Sequence, residues 1–136
     1  MYKKILVPMA LDHGISEQTL GIAKILAGEG GEIVALHVYE APQGSVQAYL
    51  DESVKKEAMD NARAELAAKT DHLEGVQAEM VVGHTYRSIV DFASEHQIDC
   101  IVMGSHKPGL SDFLLGSTAA RVVRHAPCAV HVYRTP

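Results

Sequence analysis

At 136 residues the chain has the length of one domain, and folding at this size buries roughly two-thirds of the surface the unfolded chain exposes. Apolar residues make up 47% and charged residues 21%, a globular composition that argues against disorder or a fibrous repeat. With 12 Lys and Arg against 17 Asp and Glu the net charge is −5, which argues against the basic surface a nucleic-acid partner demands.

Lys3 and Lys4 precede Ile5-Leu6-Val7, but Pro8 and Asp12 break the run and no small-residue cleavage pattern follows. No stretch reaches the roughly 18 apolar residues needed to cross a bilayer. The two cysteines, Cys100 and Cys128, are too few for a disulfide framework and sit in apolar runs as core residues. These features predict a cytoplasmic protein in a reducing compartment, without direct membrane insertion.

In chain order, the first predicted element is a strand over residues 5–9, nearly continuous in apolar residues as a strand covered on both faces should be. A helix follows over residues 14–28, with Ile15, Leu20, Ala23, Ile25, Leu26 and Ala27 at helical spacing and the turn Gly28-Glu29-Gly30-Gly31 behind it. A second strand spans 33–38. A long charged helix over 48–71 carries Val54, Ala58, Ala62, Leu66 and Ala67 on one stripe, and its Lys55-Lys56-Glu57 cluster reads as a solvated face. The third strand, 76–82, alternates at first, which suits a position nearer the sheet edge. A helix over 85–96 follows, with Thr85 as its predicted N-cap and Ile89, Val90, Phe92 and Ala93 as its apolar face. The fourth strand is 100–103, again nearly all apolar. The last helix, 117–125, opens at Gly116 or Ser117 and is closed by Pro127, and a final strand spans 129–133. Strands alternating with helices through short connections predict one domain over residues 1–136. Its fold class is α/β: a single doubly wound, five-stranded parallel sheet with helices on both faces. The irregular segments 40–48 and 105–115 both follow strands, which puts them at the ligand-binding end of such a sheet.

No G-x-x-x-x-G-K-[ST], G-x-S-x-G, C-x-x-C or H-E-x-x-H occurs, and the glycine cluster at 28–31 follows a helix rather than a strand, so it is no dinucleotide fingerprint. The eight histidines are scattered without ligand spacing, so no metal site is predicted. His37 and His131 lie on strands as packed or interface residues. No residue pair resembles a nucleophile with its base, so no catalytic residue is assigned. The informative stretch runs from Met103-Gly104-Ser105-His106-Lys107-Pro108 to Leu115-Gly116-Ser117-Thr118. It leaves a strand through one glycine and enters a helix through another. Glycines admit close backbone approach, a helix N-terminus offers free N–H groups, Ser117 and Thr118 add hydroxyls, and Lys107 adds a cation. On spacing alone, a phosphate cradle and a plain capped turn are equal alternatives.

Residues 99–106, Leu114-Leu115-Gly116-Ser117 and Arg121-Val122-Val123-Arg124-His125-Ala126-Pro127-Cys128-Ala129-Val130 resemble the universal stress protein family closely. Lys4-Ile5-Leu6-Val7-Pro8 and Gly83 fit it too, so the resemblance covers the whole chain. It implies an adenine-nucleotide α-hydrolase-like fold binding ATP or AMP, with Mg²⁺ accompanying the nucleotide. By position, phosphate contacts fall on Gly104, His106, Lys107, Gly116, Ser117 and Thr118, and base and ribose contacts near Pro8, Val38 and Met103, with Ser105 in the same loop. Two departures stand out. Lys107 occupies the place of the family's second glycine and Gly116 arrives one residue early, a shortened loop similar to one branch of the family. The Asp that usually follows the first strand's Pro is Ala10. Residues 1–14, His37-Val38-Tyr39 and Lys107-Pro108 also resemble members that accompany TRAP-type solute transporters.

The resemblance implies a regulator that acts through conformation and partners, with slow ATP hydrolysis or autophosphorylation at Ser117 or Thr118 left unassigned. The competing reading is a family-like dimer that binds no nucleotide and serves as an interaction module. An enzyme of the adenine-nucleotide α-hydrolase type is disfavoured, since residues 9–14 match neither of that group's loops. The last strand should lie at a sheet edge, where an unpaired apolar strand is a liability. The family pairs this strand with a second copy, so Ala129, Val130, His131, Val132 and Tyr133 are the expected interface of a homodimer, or of a tetramer built by doubling it.

Overall fold

The computed structural model of the chain describes residues 1–11, 16–40, 51–105 and 115–134. Its strands are β1 (Lys4–Pro8), β2 (Glu32–Tyr39), β3 (Val76–Val82), β4 (Cys100–Gly104) and β5 (Ala129–Tyr133). The helices are α1 (Ser16–Ala27), α2 (Glu52–Thr70), α3 (Thr85–Glu95) and α4 (Ser117–His125). All strand pairs are parallel, in the order β3-β2-β1-β4-β5. The doubly wound parallel sheet expected from the sequence is therefore the observed one, with β1 at its centre and β3 and β5 at its edges.

Alternation along the buried strands divides the core. Leu6, Val34, Leu36, Val38, Ile101 and Met103 face α3 and α4, meeting Ile89, Phe92, Ala93, Ala119 and Val122. Their neighbours Ile5, Val7, Ile33, Ala35, Cys100 and Val102 face the other way, onto Leu20, Ala23 and Ala27 of α1 and Leu66 of α2. Ile5, Leu6, Val7, Ile101 and Val102 are wholly buried, as strands covered on both faces require. Asp99 ties the centre together: its carboxylate accepts the Lys3 and Lys4 amides at 3.0 Å each, and its own amide donates to the Lys4 carbonyl at 2.8 Å.

Several local expectations change. Ile25 is 82% exposed, because the stripe of α1 runs through Leu20, Ala23 and Ala27 and places Ile25 on the opposite face. The long helix is described from Glu52 on, and residues 48–50 of the expected span lie outside the described residues. Asp51 before it is extended, with φ −69° and ψ 146°, and its carboxylate accepts the Ser53 amide at 3.4 Å, which caps the helix there. Val54 then falls near the exposed end and is 49% exposed, while Leu66 is buried. Thr85 is the first helical residue rather than the cap; His84 holds the cap position. Gly28 ends α1 with φ +66°, a left-handed conformation that suits glycine. Among the described residues no helix is long and apolar enough to cross a membrane.

Candidate functional site

The chain runs outward from β1 to β2 and β3, then returns past β1 to β4 and β5, so the strand order reverses between β1 and β4. A crevice opens at such a reversal, beyond the carboxyl ends of the strands. A cavity of about 730 Å³ lies there, lined by Pro8 and Met9 at the end of β1, Val38 and Tyr39 of β2, and Met103, Gly104 and Ser105 at the end of β4. The starts of α3 and α4 complete its wall, through His84, Thr85 and Tyr86 on one side and Gly116, Ser117 and Thr118 on the other. Pro8, Val38, Met103, Gly104, Ser105, Gly116, Ser117 and Thr118, scattered in sequence, thus meet around one space. His106 and Lys107 lie outside the described residues.

Backbone bonds fix this end of the sheet. The Ser105 amide donates to the Tyr133 carbonyl at 2.9 Å, and the Gly116 amide donates to the Ser105 carbonyl at 2.6 Å, which holds the start of α4 against the end of β4. Gly116 caps α4 with φ −59° and ψ 155°. It brings no capping side chain, and the first turn of α4 holds no acidic residue. The N–H groups of that turn are therefore a positive end facing the cavity. On the β2 side, the Gly83 amide donates to the Tyr39 carbonyl at 3.0 Å and brings Glu40 beside α3. Glu40 Oε1 accepts the Thr85 amide at 2.8 Å and the Thr85 hydroxyl at 2.6 Å.

Glu40, Glu65, His84, Tyr86 and Arg121 line the cavity without having been singled out by sequence reasoning. Glu40 directly follows a strand, the position where ligand-end residues fall, and Arg121 stands four residues after Ser117 on the same helical face. Either signal was readable. His37 packs as expected of a strand residue: it is half-buried and its Nδ1 lies 2.8 Å from the Met9 carbonyl, although it also faces the cavity. Ala10, at the position of the family's Asp, lines the cavity as well.

The cysteines sit as sequence placed them, Cys100 buried and Cys128 half-buried. Burial pushes both thiols up, away from the thiolate a nucleophile needs. Among the described residues no three His, Cys, Asp or Glu side chains gather to hold a metal ion.

This geometry defines a doubly wound α/β domain whose switch-point cavity is apolar on its strand side and positive at one helix terminus. The universal stress protein family matches residues 1–134, and the chain belongs to that family. A universal stress protein of Methanothermobacter thermautotrophicus is 30% identical, over 99% of this chain and 97% of its own length. Among solved structures, a hypothetical protein whose biochemical function was assigned from its structure superposes with a TM-score of 0.84 at 29% identity, covering 100% of this chain and 98% of its own. The universal stress protein of Archaeoglobus fulgidus, solved in complex with dAMP, shares the fold with a TM-score of 0.65 at 22% identity, covering 96% of this chain and 97% of its own.

Proposed function

We propose that this chain binds an adenine nucleotide, ATP or AMP, in the switch-point cavity and works as a regulator through nucleotide-dependent conformation and partner binding rather than turnover. One observation carries the reading: the N-terminus of α4 meets the cavity with a glycine cap and no acid in its first turn, flanked by Ser117, Thr118, Gly104 and Ser105. That is what a phosphate needs, while Pro8, Val38 and Met103 offer the apolar side a base needs. The dAMP complex of the Archaeoglobus fulgidus structure supports it. Since the described residues gather no metal site of their own, Mg²⁺ would enter on the nucleotide phosphates.

Nucleotide released from acid-quenched purified protein, read by absorbance and mass, tests the reading directly. Calorimetric titration extends it. Gly116→Val should abolish binding, because a β-branched side chain takes the space of the phosphates. Lys107→Ala should weaken ATP more than adenosine, by about 1–3 kcal/mol for a lost charge-assisted contact. Equal ATP affinity in wild type and both variants, with folding checked by circular dichroism, overturns the cradle. Ala10 favours the second reading, an interaction module that binds no nucleotide, and an empty acid quench with no calorimetric signal would select it.

The assembly proposed with this function is a two-fold homodimer through Ala129–Tyr133, or a tetramer of two such dimers. The edge position of β5 and the partial exposure of Val130, Val132 and Tyr133 support it. Light scattering at micromolar concentration should give at least the dimer mass, and Val130→Pro should lower it. A monomeric wild type removes the dimer. The short loop and the resemblance of residues 1–14 support a cytoplasmic partner role at a TRAP-type transporter subunit, tested by pull-down with and without ATP.

A further inference from the structure

We propose that Arg121 distinguishes nucleotides with a phosphate tail from the monophosphate, an assignment that rests on the nucleotide reading above. Arg121 lines the cavity one helical turn after Ser117, on the face that carries the proposed cradle. Helical side chains lean toward the N-terminus, so its guanidinium is carried back toward the cradle and away from the core.

The half-buried Tyr86 ring lies beside it. The guanidinium carbon lies 5.2 Å from the centroid of the Tyr86 ring. Tyr86 is set in turn by three neighbours: His84 meets it edge-on at 5.0 Å and 88°, His125 lies 5.9 Å away at 34°, and Arg87 Nε donates to its hydroxyl at 3.3 Å. A guanidinium drawn over a ring face by cation–π attraction still has N–H edges to offer, and those edges match two phosphate oxygens at once. Among the described residues no carboxylate lies within ion-pair distance of Arg121; the recorded pairs all belong to α2.

The proposal divides the phosphates between two groups. The backbone N–H groups at Gly116, Ser117 and Thr118 serve the phosphate nearest the nucleoside, which every nucleotide of the series carries. Arg121 serves the phosphates beyond it, which only the di- and triphosphate carry. A lysine at 121 keeps the charge but loses both the stack and the planar fork.

The test titrates ATP, ADP and AMP into the full chain and into Arg121→Gln and Arg121→Lys, at low and moderate salt. Arg121→Gln should weaken ATP and ADP about five- to tenfold and AMP less than twofold, and should flatten the salt dependence of ATP binding. Arg121→Lys should fall between wild type and Arg121→Gln. Equal losses for all three nucleotides, or no loss for any, overturn the assignment while leaving the nucleotide reading intact. A wild-type chain that takes up none of the three overturns that reading, and this inference with it.

Discussion

Helices α3 and α4 start at the same end of the sheet, line the same cavity and have cap residues, His84 and Gly116, that make no side-chain cap bond. Neither has an acidic residue in its first turn. They differ in what reaches them from outside. Glu40, delivered by the end of β2, places a carboxylate oxygen 2.8 Å from the first amide of α3. The first turn of α4 has hydroxyls and glycine beside it instead. A helix N-terminus already met by a carboxylate has little left to offer an anion, so a phosphate in this cavity is directed to α4. The orientation of the proposed ligand thus follows from one glutamate on the opposite wall.

The strongest way to break this contrast is to make α4 resemble α3. Gly116 has nearly the backbone geometry of Asp51, which caps α2: φ −59° and ψ 155° against −69° and 146°. Gly116→Asp therefore supplies a carboxylate cap without backbone strain. Thermal unfolding should show stability unchanged or raised by a few tenths of a kcal/mol. ATP affinity should fall more than about tenfold, since a lost charge-assisted contact and the repulsion of two anions act together. Undiminished ATP binding in a folded Gly116→Asp protein would mean that the phosphates lie elsewhere.

The opposite change opens α3. Glu40→Ala removes the acceptor of both Thr85 bonds and should cost about 1 kcal/mol of unfolding free energy, the usual effect of losing a helix cap. With one negative charge gone from the cavity wall, ATP affinity should rise by about two- to threefold at low salt and converge with wild type as salt screens the field. A loss of affinity instead would show Glu40 to be a ligand contact, and the contrast between the two helices would need to be redrawn.

Much of this was legible in sequence, for a physical reason that also marks where legibility stops. Ile5-Leu6-Val7 and Ile101-Val102-Met103 are buried on both faces, so their continuous apolar character can be read locally, and with β-α alternation it dictates the sheet. The grouping proposed as a cradle, Gly104 with Gly116, Ser117 and Thr118, was equally visible, because glycines, hydroxyls and a helix start lie within one connection. For Glu40 and Arg121 only the position was legible, one directly after a strand and the other a helical turn beyond Ser117. Their roles come from contacts with Thr85 and Tyr86, at sequence separations of 45 and 35, which no local period encodes. Thr85 illustrates the same limit. A Thr before an apolar periodic run reads as a cap, whereas here the acceptor comes from another strand and Thr85 becomes the donor. Ile25 and Val54 were misplaced because apolar residues were counted along a helix without fixing which face meets the sheet.

Thr85 also provides the finest test, with the smallest effect. Thr85→Ala deletes the 2.6 Å hydroxyl bond to Glu40 but leaves the 2.8 Å amide bond in place. Alanine is the better helix former by a few tenths of a kcal/mol, so the lost bond and the gained propensity partly offset. The net loss should be about 0.5 kcal/mol, which a single melting curve barely resolves. A double-mutant cycle with Glu40→Ala separates the two terms. Without the carboxylate, Thr85→Ala has no bond to remove and only propensity acts, so the substitution should turn neutral or slightly stabilising. The interaction energy of the cycle then measures the Thr85 hydroxyl bond to Glu40 by itself. Equal effects of Thr85→Ala in both backgrounds would show that the hydroxyl bond contributes nothing in solution and that Glu40 holds α3 through the Thr85 amide alone.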